Sequence, residues 1–127
     1  MDEGRVYLVG AGPGDPELLT LKGLRCLQQA HLVLHDTLAN TALLRHVSPG
    51  CEIVDVGKKP GSQKAQQADI NRLMIEGARA GRTVVRLKGG DPFLFGRGGE
   101  EADSLRAAGV AYEVVPGVTS PISVPAY

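Results

Sequence analysis

The 127-residue chain has room for one domain, whose core needs no disulfide or metal staple. Fourteen basic and fourteen acidic residues cancel, aromatic residues make up 4% and Trp is absent. The chain therefore offers no global field for nucleic acid or an anionic membrane, and no platform for stacking bases.

The pattern of apolar residues predicts five short strands alternating with helices. Arg5 to Val9 (RVYLV) reads as the first strand, followed by a helix over roughly Leu21 to Ala30 with Leu21, Leu24 and Leu27 on one face. Asp15 before Pro16 and Thr20 are both suitable caps for that helix. Leu32 to His35 is the second strand, and a short helix near Thr41 to His46 stops before Pro49. Glu52 to Val56 is the third strand. The clearest helix, Gln66 to Ala80, follows it, with Ile70, Leu73, Met74, Gly77 and Ala78 at helical spacing and Gly81 at the C-terminal cap. Thr83 to Leu87 gives the fourth strand, Glu100 to Ala108 a helix ending at Gly109, and Tyr112 to Val115 the fifth strand. Strand and helix in alternation imply an α/β fold, a five-stranded mostly parallel sheet flanked by helices.

No apolar run is long enough to span a bilayer, and Met1-Asp2-Glu3-Gly4-Arg5 lacks the order of a signal peptide, so a cytoplasmic protein with no membrane partner is expected. Cys26 and Cys51 lie in apolar segments without CxxC spacing and read as two buried, reduced thiols. His31 and His35 share one face of a strand, but no third ligand is near in sequence, and no metal site is assigned.

Glycine is the outlier: there are 17, about double the usual share. Eleven fall after the carboxyl ends of predicted strands, where ligands bind in parallel sheets. The first such loop, Val9-Gly10-Ala11-Gly12-Pro13-Gly14-Asp15, approaches a dinucleotide fingerprint and fails at its last glycine, where Asp15 puts an anion in place of the pyrophosphate. A Pro-stiffened loop of this kind suits an adenosine-bearing ligand without phosphates, such as S-adenosylmethionine. The loop after the fourth strand is richer: Lys88-Gly89-Gly90-Asp91-Pro92-Phe93-Leu94-Phe95-Gly96-Arg97-Gly98-Gly99-Glu100-Glu101. Its glycines expose backbone, Asp91 accepts from ligand hydroxyl or ammonium groups, Phe93 and Phe95 make an apolar wall, and Arg97 before a helix start suits a carboxylate.

The segment VRLKGGDPFLFGRGGEE, with VGAGPGD before it and VVPGVTS after it, resembles the uroporphyrinogen-III C-methyltransferases of the tetrapyrrole methylase superfamily. The resemblance runs from Val6 to Tyr127. It implies a Rossmann-like N-terminal domain (residues 1–127), a second domain of similar size in the whole enzyme, a cofactor cleft between the two, and a homodimer. It also implies transfer of methyl groups from S-adenosyl-L-methionine to uroporphyrinogen III. The products are precorrin-2, which feeds siroheme and cobalamin synthesis, and S-adenosyl-L-homocysteine. The isolated half is then expected to be inactive. Carried over by position, Pro13, Gly89, Gly90, Asp91, Leu94, Thr119 and Ser120 match the cofactor-binding pattern. Asp36 takes the proton-acceptor position, Lys58 the proton-donor position, and Arg97 and Glu100 are expected to face the substrate. His35 stands where many members have Tyr, and Ser120 where alanine is common. The anionic arms of the substrate call for local cations, and Lys58, Lys88 and Arg97 lie on the predicted ligand edge. Two further readings stay open: a methylase of a later precorrin, and a non-catalytic Rossmann-like module that binds a ligand or a protein.

Overall fold

The computed structural model describes residues 4–10, 19–35, 41–56, 63–88 and 98–116. Within them the chain runs β1 (Arg5–Gly10), α1 (Leu21–Gln29), β2 (Leu32–His35), a 3-10 helix (Thr41–His46), β3 (Glu52–Asp55), α2 (Gln63–Arg79), β4 (Thr83–Lys88), α3 (Gly98–Ala107) and β5 (Tyr112–Val115). Every strand pair is parallel, in the order β3-β2-β4-β1-β5. From β1 the chain moves outward through β2 to β3. It then returns through β4, inserted between β2 and β1, to β5 on the far edge. Because such crossovers are right-handed, reversing direction changes the face that the helices cover.

The two hydrophobic clusters record this division. Val6 and Leu8 of β1, Leu32 and Leu34 of β2 and Val84 of β4 pack under α2 and α3 with Ile70, Met74, Ala102 and Leu105. The alternate residues Val9, Val33, Val85 and Leu87 pack under α1 and the 3-10 helix with Cys26, Leu27 and Leu43. Side chains alternate across a strand, so a strand covered on both faces must be apolar at nearly every position, as β1, β2 and β4 largely are. Each fully buried Leu or Met stabilises the fold by about 1.5–3 kcal/mol. Gly77 lets α2 approach the sheet closely, since a Cβ there would stand 2.8 Å from Val84 Cγ2 and 3.2 Å from Leu32 Cδ2.

The ends of the elements follow local chemistry. Thr20 is the cap of α1, its hydroxyl accepting from Gly23 N–H at 3.1 Å, which decides between the two caps that the sequence offers. Helix α2 ends on a Schellman turn: Arg82 N–H reaches Gly77 O at 3.1 Å and Gly81 N–H reaches Ala78 O at 3.0 Å, with Gly81 at φ 85°. Gly109, at φ 73°, closes α3 in the same way. Two helices start earlier than their apolar pattern. Helix α2 takes in Gln63-Lys64-Ala65, which favour helix but carry no apolar period. Helix α3 takes in Gly98 and Gly99, poor helix formers followed by Glu100 and Glu101, whose charge suits a helix N-terminus.

Candidate functional site

Parallel register lines up the carboxyl ends of the strands. Asp55, His35, Leu87, Val9 and Val115 form one row across all five strands, and one step further Gly10 pairs with Lys88. The neighbours β1 and β4 send their following connections to opposite faces, into α1 and α3 respectively. That divergence opens the crevice in which sheets of this kind bind ligands. Each expected site segment continues from one of these strand ends: Pro13 from β1, Asp36 from β2, Lys58 from β3, Gly89 to Arg97 from β4, and Thr119 and Ser120 from β5. Pro13, Asp36, Lys58, Gly89, Gly90, Asp91, Leu94, Arg97, Thr119 and Ser120 all lie outside the described residues. Glu100 lies within them, exposed in the first turn of α3.

Below the crevice the structure holds a feature that the sequence reading missed. Arg86 and Lys88 alternate with Val85 and Leu87, so both cations point to the α2/α3 face, and β4 is buried from Val84 to Lys88. Glu101 descends from the first turn of α3, fully buried, to meet them. Arg86 Nε donates to Glu101 Oε2 at 3.0 Å, and Lys88 Nζ to Oε1 at 3.4 Å. Gln67 Nε2, from α2, donates to Oε2 at 3.2 Å and also to Asn71 Oδ1 at 3.0 Å. Arg86 Nη1 lies 3.5 Å from the carbonyl oxygens of Leu34 and Leu87. One carboxylate thus joins β4, α2 and α3. The expectation that Lys88 faces an anionic substrate is corrected: a central strand covered by helices turns its cation inward to a buried carboxylate.

Other candidates fall away. Cys26 is buried, but Cys51, ahead of the edge strand β3, is only partly so; both are free thiols. Burial pushes both thiols up, so neither is a thiolate nucleophile near neutral pH. His31 stands exposed before β2, its Nδ1 accepting from Thr83 N–H at 2.8 Å, while His35 is buried at the other end of that strand. Among the described residues no group of three or more His, Cys, Asp or Glu could hold a metal ion. No helix among them is long and apolar enough to cross a membrane. Two depressions, of about 150 and 180 Å³, lie at the opposite, amino-terminal end of the strands. Ligand sites for drug-sized molecules run to ~300–1,000 Å³, so neither accommodates an adenosyl ligand.

Residues 5–127 match the model of the tetrapyrrole (corrin/porphyrin) methylases. The chain belongs to that family. It is 54% identical over 127 residues to a uroporphyrinogen-III C-methyltransferase of Bacillus subtilis, covering 100% of this chain and 26% of the relative. It is similar to the crystal structure of a Thermus thermophilus uroporphyrin-III C-methyltransferase complexed with S-adenosyl homocysteine. There the identity is 55% and the TM-score 0.78, over 96% of this chain and 48% of that one. A cobalt precorrin-4 methyltransferase superposes equally well, with a TM-score of 0.80 over 96% of this chain and 49% of that one, but at 38% identity. The chain spans from 24% to about half the length of the curated relatives it matches.

Strand β1 ends on Gly10, which presents no side chain, beside Lys88, whose ammonium is engaged by Glu101 below.

Proposed function

We propose that this chain is the S-adenosylmethionine-binding, N-terminal half of a uroporphyrinogen-III C-methyltransferase, with a second domain of similar size closing the cleft. The observation that carries this reading is the identity of 55% to an S-adenosyl homocysteine-bound relative across nearly the whole chain. Backbone shape does not choose the substrate, because the precorrin-4 enzyme fits as closely. Identity does: 55% against 38% favours uroporphyrinogen III over a later precorrin.

On this reading Pro13, Gly89, Gly90, Asp91, Leu94, Thr119 and Ser120 bind the cofactor. S-adenosylmethionine supplies a methyl group already activated as a sulfonium. The chain's own residues align that group with an electron-rich ring carbon and exclude water. Alignment of this kind is worth ~7–11 kcal/mol of a barrier. Asp36 takes a proton and Lys58 gives one, each a contribution of ~10²–10⁴ in rate. Arg97 grips a carboxylate arm of the macrocycle, and Glu100, exposed on α3, faces the substrate beside it. The product, precorrin-2, serves siroheme and cobalamin synthesis, and the enzyme works as a homodimer in the cytoplasm.

The test is a methyl-transfer assay on the full-length protein with S-adenosylmethionine. Uroporphyrinogen III should accept two methyl groups. Transfer to a later precorrin with none to uroporphyrinogen III would move the assignment to the other branch, and no transfer to either would refute it.

A further inference from the structure

We infer that the buried Arg86–Glu101–Lys88 cluster is a clasp that sets cofactor affinity, with Glu101 as its positioning residue. The inference rests on the S-adenosylmethionine reading above and adds to it residues outside the cofactor-binding set named there.

Strand β4 ends at Lys88 and α3 begins at Gly98, so nine residues join them, three of which are glycine. Gly89, Gly90, Asp91 and Leu94, which bind the cofactor on the reading above, lie in this connection, so the placing of its two ends bears on affinity. The clasp fixes those ends. Lys88, the last residue of β4, and Glu101, in the first turn of α3, are bonded at 3.4 Å, with Arg86 at 3.0 Å beneath them. Gln67 brings α2 to the same carboxylate at 3.2 Å, so α3 is registered against a strand and a helix together.

The chemistry argues against mere filling. A buried ion pair is a poor source of net stability, and well-packed apolar residues of similar volume often do as well. What ions add is direction: both oxygens of Glu101 are engaged, each by a donor from β4. A leucine at that position fills the space without setting the rotation or height of α3. This cluster also sits directly below the crevice, whereas the rest of the α2/α3 face is apolar.

The experiment measures S-adenosylhomocysteine affinity by calorimetry on the full-length protein, at a temperature where every variant is folded. Glu101→Gln keeps the shape and removes the charge, and should weaken binding about tenfold or more, as expected for charged hydrogen bonds lost from a positioning group. Leu27→Ala, in the core under the opposite face, is the control: it should lower the melting temperature at least as much and leave affinity within about twofold. Arg86→Lys, which keeps the charge and loses the planar fork, should fall between wild type and Glu101→Gln. It carries the test if Glu101→Gln does not fold. Wild-type affinity in Glu101→Gln or, failing that protein, in Arg86→Lys overturns the clasp while leaving the cofactor reading intact. Equal weakening in Leu27→Ala also overturns it, since stability alone would then explain the loss. A wild-type protein that binds no S-adenosylhomocysteine overturns both.

Discussion

Strand β4 carries an arginine–glutamate pair near each end, and the two have the same length in different surroundings. Near its start, Arg82 meets Glu52 at 3.0 Å, with the side chains 35% and 58% exposed. Near its finish, Arg86 meets Glu101 at 3.0 Å, with the side chains 5% and 0% exposed. At the first end water replaces what a mutation removes, and the work of closing the fold is done by backbone. Schellman turns end α2 and α3 there, and Arg82 also donates to His31 O at 3.0 Å. At the second end both side chains are buried, so a carboxylate without its cations would be stranded. The same chemistry is decoration at one end of the sheet and a constraint at the other.

Three substitutions sharpen the contrast. Glu101→Ala should have the largest effect, a loss of about 3–5 kcal/mol in urea unfolding, because it leaves two buried cations without their carboxylate. A loss below ~1 kcal/mol would mean that the cluster is solvated and the contrast false. Gly109→Ala should cost about 1–2 kcal/mol. At φ 73° nothing lies within 4 Å of the added Cβ, so the cost is backbone strain alone. A neutral result would mean that the turn relaxes freely. Glu52→Gln should cost least, ~0.2–1 kcal/mol, and less again in 1 M salt. A larger, salt-insensitive loss would show that the exposed pair does more than its exposure allows.

Much of the fold was legible in the sequence because a doubly covered parallel sheet needs apolar runs. RVYLV, LVLH and TVVRL could hardly be anything but strands. The glycines at 81 and 109 marked helix ends for the same local reason that the structure shows. The clasp was not legible in the same way. Read alone, Val85-Arg86-Leu87-Lys88 alternates apolar and charged residues, the pattern of a strand with one wet face. Only the strand order, with β4 in the middle of five, shows that both faces are covered and that the cations need a buried partner. A signal was present: a central strand with two cations on one face asks for an acid on the helix that follows, and Glu101 lies in that helix's first turn. The helix starts at Gln63 and Gly98 were missed because polar helix formers and glycines carry no apolar period.

On the proposed function the cofactor sits on the carboxyl edge of the sheet and leaves the amino edge untouched. Backbone amide NMR shifts during titration of the full-length protein with S-adenosylhomocysteine test it most directly. Gly10, His35 and Lys88, at the carboxyl ends of three strands, should shift, while Gly50, Gly81 and Gly109 at the opposite edge should stay in place. Shifts at Gly50, Gly81 and Gly109 with none at Gly10, His35 and Lys88 would put the ligand at the wrong end and contradict the account.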